Sequence, residues 1–327
     1  MYGPPGAIPP LGPGPRRAPQ PDGGVEIAGA ASPGFVHRFT HEAMATFFEV
    51  HAAHPDATYA AQAAQAAFDL VDRLEAELSR FIPNSDIGRL NHLAAGERTQ
   101  VGLAAMECLV IARHMFELTG GAFDVSIGTG LMSLDLDVDA STVCATRSGA
   151  RVDLGGIGKG YAIDRLVELL EEWGVHAALA HGGFSSVIVL DPPAGQDGWA
   201  LTLSDPADPS RVLARLSACQ TALGASGLRK GDHIVDPRTG GPVRGRRAAW
   251  VALPRPQRDA TAAAAASSNG PRLAPGAVAD ALTTAFMLLS VEEVEALCVR
   301  SPGLEAWLLP DREPVADGPA EVLHFGG

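Results

Sequence analysis

The chain has 327 residues, a formal net charge of −13, and 46% hydrophobic against 19% charged residues. That suits one large soluble domain or two modest ones, and the acidic balance argues against a broad footprint on nucleic acid or anionic lipid. Its four cysteines, Cys108, Cys144, Cys219 and Cys298, form no CxxC pair, which speaks against a zinc site or a disulfide framework. No apolar run approaches the roughly 20 residues of a membrane span, and the start lacks a basic-then-apolar signal pattern; the expectation is a cytoplasmic protein.

Residues 1–34 are rich in Pro and Gly and are expected to form a disordered tail ahead of one domain over 35–327. FVHRFTHEAMATFFEVHAAH alternates as two strands around a turn. From Ala57 to Leu78, Phe68, Val71, Leu74 and Leu78 form the apolar stripe of a helix. A second helix is expected over Leu103–Leu118, stopped at Thr119-Gly120-Gly121. ARVDLGGIGKG reads as a strand entering a glycine turn, and Tyr161 to Trp173 as a helix. Further strands are expected at SSVIVL, WALTLS, around RLSACQTAL, at HIVDP and at AAWVALP. A low-complexity insertion covers about 254–276. Helices from about Val278 to Leu289 and from Val291 to Val299 follow. Strands outnumber βαβ units, so the fold class is α+β, with mixed sheets and packed helices.

Asp153-Leu-Gly-Gly-Ile-Gly-Lys-Gly-Tyr-Ala-Ile-Asp164 is the most informative stretch. Its glycines let backbone approach a ligand. The helix that follows offers unpaired N–H groups, a natural place for phosphate, and Lys159 adds a positive charge. A tight strand-to-helix turn with no ligand remains the plainer reading. A Walker A loop would need Ser or Thr where Gly160 stands. A dinucleotide fingerprint would need glycine where Tyr161 stands, and no ribose-binding acid follows at the next strand.

Two further constellations stand out. His233-Ile-Val-Asp236-Pro-Arg238-Thr239-Gly240 is turn chemistry, yet it gathers His, Asp and Arg within six residues; His233 could stack on a ring or bond a phosphate. Asp280 and Thr284 are four apart on a helix, so both oxygens share a face. Asp280 could be no more than a helix cap. As oxygen ligands, the pair suits Mg²⁺, which takes few protein ligands besides water and phosphate.

In this order the segments resemble the ApbE family of FAD:protein FMN transferases. The match takes in Met44-Ala45-Thr46, Ser79-Arg80-Phe81 with Ser85-Asp86-Ile87 and Leu90-Asn91, Thr119-Gly-Gly-Ala-Phe-Asp124, DLGGIGKGYAID, SGxxxxxHIVDPRTG and ADALTTA, and covers roughly Phe39 to Leu289. The resemblance implies a flavin-transferase fold, FAD as donor substrate and Mg²⁺ as cofactor. It implies metal ligation by Asp280, Thr284 and the Gly158 carbonyl, and an FAD site lined by Met44, Phe81, Ala122, Phe123, Asp124, Lys159, Ser226 and His233. Asp280, Lys159 and His233 would serve the chemistry. A Thr or Ser hydroxyl of an acceptor flavoprotein would attack the FMN phosphorus and AMP would leave.

The chain departs from the family pattern in places: FDVSIG stands where FDPTVG is usual, and His181-Gly-Gly-Phe184-Ser185-Ser186 replaces a common GGD and so lacks an acid. Two other functions are compatible with the same segments: an FAD-binding protein that has lost transfer, and an FAD pyrophosphatase in which water replaces the acceptor.

Overall fold

The computed structural model describes residues 25–27, 35–126, 128–228, 234–256, 274–311 and 322–327. Most of the expected tail and the centre of the expected insertion (257–273) lie outside the described residues. Inside the tail, however, Val25–Ile27 form a strand, β1, so order begins earlier than the Pro/Gly composition suggests.

The predicted hairpin is β2 (Val36–Ala43) and β3 (Thr46–Ala53). Its turn residues Met44 and Ala45 both lie in the left-handed region, at φ 50° and 58°, as a two-residue turn matched to strand twist requires. The Met44 N–H donates to Glu75 Oε2 at 2.8 Å, which ties the turn to the following helix. That helix, α1 (Ala57–Leu78), starts where Asp56 accepts from the Thr58 and Tyr59 N–H groups. Its predicted stripe of Phe68, Val71, Leu74 and Leu78 is buried, each side chain contributing about 2 kcal/mol. A short α2 (Asp86–Leu90), β4 (Arg98–Gln100), α3 (Leu103–Leu118), β5 (Leu134–Asp137) and β6 (Thr142–Ala145) follow. Strands β4, β6 and β5 form a small separate sheet.

Next come α4 (Gly158–Glu172), β7 (Ala178–Gly182), β8 (Ser186–Val189), β9 (Trp199–Asp205), β10 (Asp208–Ala218), β11 (Thr221–Gly227) and β12 (Arg246–Pro254). The chain closes with α5 (Pro275–Phe286), α6 (Val291–Arg300), β13 (Glu305–Pro310) and β14 (Leu323–Phe325). Helix α4 begins at Gly158, not Tyr161, so the end of the glycine turn is the helix's first turn. Helix α5 begins at Pro275, where proline's missing N–H costs nothing. Among the described residues of the strand expected at HIVDP, Val235 forms a single bridge with Pro242.

The main sheet is antiparallel throughout and runs β14-β13-β12-β11-β8-β7-β3-β2. Both of its faces are covered, so its central strands read as apolar runs. Phe48, Val50, Ala180 and Ile188 point into the core shared with the helices. Leu179, Val187, Val189 and Trp250 point to a second core, shared with the three-stranded sheet β1-β9-β10. No helix among the described residues is long and apolar enough to cross a membrane.

Helices α4 and α5 cross with backbone against backbone. A Cβ on Gly160 would stand 2.1 Å from the Gly276 carbonyl oxygen, and one on Gly276 2.7 Å from that of Gly160. Each helix caps the other. The Gly276 and Ala277 N–H groups both donate to the Asp164 carboxylate at 2.9 Å, and the Gly160 N–H donates to Asp280 Oδ2 at 2.8 Å. A carboxylate at a helix N-terminus satisfies orphan donors and complements the dipole. Asp164→Ala is therefore expected to lower the free energy of unfolding by about 2–4 kcal/mol, read from urea midpoints; a loss below about 0.5 kcal/mol, the size of an ordinary surface change, would contradict this account of the crossing.

Candidate functional site

A cavity of about 500 Å³ opens at this crossing, a volume ordinary for small-molecule sites. Its walls come from distant parts of the chain: the β2–β3 turn (Met44 to Thr46), the loop after α3 (Ala122 to Val125), the glycine turn (Asp153, Gly155, Gly156, Lys159) and the β7–β8 hairpin (Gly183, Ser185). The end of β11 (Ala225 to Gly227), the segment with Ile234, Val235 and Pro237, and α5 (Asp280, Thr283, Thr284) complete it.

Of the sequence-predicted residues, Met44, Ala122, Phe123, Asp124, Lys159, Ser226, Asp280 and Thr284 all line this one cavity. His233 lies outside the described residues. Phe81 is not in the lining and is 78% exposed. It sits beneath the Arg80 guanidinium, 4.3 Å from the ring centroid, and Arg80 Nε in turn pairs with Oδ2 of the lining residue Asp153 at 2.9 Å. Gly158 is also absent from the lining, buried in the first turn of α4.

Asp280 is a buried carboxylate in the cavity wall. It lies well inside α5, whose N-cap is Ala274, so it does not cap its own helix. Its oxygens accept from Ser186 Oγ at 2.7 and 2.9 Å and from the Gly160 N–H. Burial pushes its carboxyl up to about 6, while the Lys159 charge, Ser186 and the Gly160 N–H pull the other way. Lys159 Nζ reaches the Gly155 carbonyl at 3.3 Å, so it is held at the cavity wall. One turn along α5, the Thr284 hydroxyl donates to the Asp280 carbonyl at 3.2 Å, leaving its lone pairs free to act as a ligand.

Asp280 and Thr284 thus present a hard, all-oxygen set: one buried carboxylate and one hydroxyl. Such a set fits Mg²⁺, which is bound through one or two carboxylates plus substrate phosphates and waters. The lysine and the α4 N-terminus beside it suit phosphate.

Asp124, in the same lining, also braces its own loop. Its Oδ1 accepts from the Ser126 N–H and hydroxyl, and its Oδ2 from the Gly128 N–H. Ser126 Oγ then accepts from the Gly130 and Leu131 N–H groups. Both carboxylate oxygens accept from this loop, so Asp124 helps to position the wall. Ser226 similarly donates to Thr283 Oγ1 at 3.1 Å.

Sequence reasoning missed two residues. Ser186 holds the Asp280 carboxylate from 94 positions away; the segment was noted only for its missing acid. Asp164 caps α5, and its place one turn past Gly160, on the same face of α4, is a signal that could have been read.

Solved structures share this chain's fold. The ApbE protein of Thermotoga maritima superposes with a TM-score of 0.72 at 20% identity, covering 89% of this chain and 97% of that one. The flavin transferase ApbE of Vibrio cholerae does so at 0.71 and 17% identity, with 89% and 97% covered. At the level of sequence, the ApbE family model matches residues 44–134 and 129–270, and the chain belongs to the ApbE family. Among its relatives, an FAD:protein FMN transferase of Treponema pallidum (strain Nichols) is 25% identical over 296 residues, 75% of this chain and 76% of that protein. One of Klebsiella pneumoniae (strain 342) is 25% identical over 225 residues, 55% of this chain; the chain spans only 62% of the length of that relative.

Proposed function

We propose that this chain transfers the FMN half of FAD to a threonine or serine hydroxyl of an acceptor flavoprotein, with Mg²⁺ held at Asp280 and Thr284 and AMP released. One observation carries the reading. In a member of the ApbE family, a buried carboxylate, a lysine and a helix N-terminus meet in a single cavity.

In the transfer, the acceptor oxygen bonds to the FMN phosphorus, the bridging P–O bond to AMP breaks, and the hydroxyl proton is released. Phosphoryl chemistry of this kind depends mainly on positioning and charge neutralisation. Mg²⁺, when bound, supplies a positive charge at the bridging phosphate. Lys159 adds a fixed charge, the α4 N-terminus offers N–H groups, and Asp124 holds the Ala122–Val125 wall on which the donor lies. His233 stays a candidate phosphate partner through the family resemblance.

Two binding experiments test the reading. FAD is expected to bind at least about tenfold more tightly than FMN, because one or two adenosine contacts are worth about 1.4 kcal/mol; equal affinities by calorimetry would leave only a generic flavin binder. The second concerns pH. The Asp280 carboxyl stands at about 6 against an ordinary 3.8, and Mg²⁺ takes only the ionised form, so protons compete with the metal below that value. Mg²⁺ affinity should be flat above pH about 6 and fall roughly tenfold per unit beneath it; an affinity unchanged down to pH about 4.5 would remove Asp280 as the ligand.

A further inference from the structure

The outer face of β3 and β7 carries a second cluster. Glu49 and His51 are two apart on β3, so they share a face, and Glu49 lies opposite His181 of β7 in the antiparallel register. That face is opposite to Phe48 and Val50, which enter the helical core. His51 Nε2 donates to Glu49 Oε1 at 2.6 Å, and His181 Nε2 stands 3.4 Å from the same oxygen. Arg38, across from His51 on β2, takes the other oxygen, Oε2, at 2.6 Å. One ligand atom of each of Glu49, His51 and His181 falls within 4.8 Å of the others.

As a plain ion-pair network the cluster is incomplete. His181 is only 2% exposed, yet among the described residues its Nδ1 has no hydrogen-bond partner, and its Nε2 has only the 3.4 Å ion-pair contact with Glu49. Buried polar atoms of this kind are rare and costly. The ring is held in place: Phe184 stacks on it at 4.4 Å between centroids, from a hairpin turn in which Gly183 and Phe184 are both left-handed, at φ 62° and 61°. Its Nε2 faces Glu49 Oε1, the oxygen already shared with His51 while Arg38 takes the other.

We propose that Glu49 Oε1, His51 Nε2 and His181 Nε2 bind a divalent transition-metal ion of the zinc type, at a site separate from Asp280 and Thr284. Two imidazoles and a carboxylate suit Zn²⁺ and disfavour Mg²⁺ or Ca²⁺. Tetrahedral ligand atoms around zinc lie about 3.3 Å apart; the His181–Glu49 separation of 3.4 Å already matches, and the 2.6 Å His51–Glu49 contact would open. Burial works against ionising Glu49, but His181, His51 and Arg38 outweigh it and hold the carboxyl well below the usual range, so the anionic donor is available. The site uses no cysteine, which is why cysteine spacing gave no sign of it. None of the three lines the cavity, but Thr46 of β3 and Gly183 and Ser185 of the β7–β8 hairpin do. The ion would pin the hairpin that forms one cavity wall, with a fourth coordination position open.

The test uses the full chain without a histidine tag, stripped by chelator and kept in excess Mg²⁺. Titration with Co²⁺ should give the visible d–d bands of a four-coordinate ion at one equivalent per chain, displaced by Zn²⁺. Zn²⁺ should also raise the melting temperature. His51→Gln, at a partly exposed position, should keep the metal-free melting temperature, lower Zn²⁺ affinity by on the order of 100-fold or more and lose both signatures. Asp280→Asn should keep them. A wild-type chain with no stoichiometric Co²⁺ spectrum, or a folded His51→Gln chain with the wild-type spectrum, would overturn the proposal. Either result leaves the proposed transferase reading untouched.

Discussion

Asp280→Asn is expected to cut FMN transfer by on the order of 10³-fold while FAD affinity falls by less than about tenfold. Asparagine has the same shape, and its carbonyl oxygen can still accept from the Gly160 N–H that Asp280 Oδ2 now satisfies. What it loses is the charge that would hold Mg²⁺ beside Lys159. The flavin and adenine would be held by other walls, whereas charge at the bridging phosphate grows mainly in the transition state. Interactions of that kind set turnover and do little for ground-state binding. EDTA should reproduce the defect in the wild-type chain, and added Mg²⁺ should reverse EDTA but not the substitution. Thr284→Val should cost less, about tenfold, because a neutral hydroxyl is the weaker ligand and water can take its place. A folded Asp280→Asn chain with undiminished, EDTA-resistant transfer would remove the metal assignment.

Gly160→Ala should be strongly damaging. The added Cβ would meet the Gly276 oxygen and carbon at 2.1 and 2.5 Å and the Ala277 nitrogen at 2.8 Å. All three are backbone atoms of α5, so no side chain can turn aside and the two helices must part. That would break the caps at Asp164 and Asp280 together and separate Lys159 from Asp280. The expected loss is more than about 3 kcal/mol, at the upper end for overpacking, or failure to fold. Two residues earlier the same change should be harmless. At Gly158 the new Cβ would meet only Leu154 Cβ, at an ordinary 3.8 Å. Alanine there should stabilise by up to about 1 kcal/mol through helix propensity. Urea midpoints of the two variants decide the matter; the reverse ranking would mean that the crossing at Gly160 is not close-packed.

Much of the fold was legible from local pattern. The stripe of α1, the alternation of β2 and β3 and the glycine stop after α3 each lie within a few turns of sequence. The strands of β4, β5, β6, β13 and β14 were not. They run three to six residues, too short for a period to declare itself. Strand β1 is held by pairing with β9, far along the chain, against a composition that favours disorder. Residues that a motif marked, Met44, Phe123, Lys159, Asp280 and Thr284, come together in one cavity. Roles set by tertiary partners were hidden. That Asp280 caps another helix depends on Ser186 and Gly160, and that Asp124 spends both oxygens on its own loop depends on the loop's path. Glu49 and His51 could be paired from strand alternation alone; His181 joins them only through register.

Flavin transfer itself can be measured. The chain is incubated with FAD, Mg²⁺ and an acceptor flavoprotein carrying a Thr- or Ser-containing motif, and the denatured acceptor is examined for covalently held FMN while AMP is counted. One AMP should be released for each FMN attached, with both lost when the acceptor's hydroxyl residue is replaced by alanine. AMP and free FMN appearing at the same rate with no flavin on the acceptor would contradict the proposed transfer and make the protein a pyrophosphatase. FAD bound but left intact would contradict it equally and make the protein a binder alone.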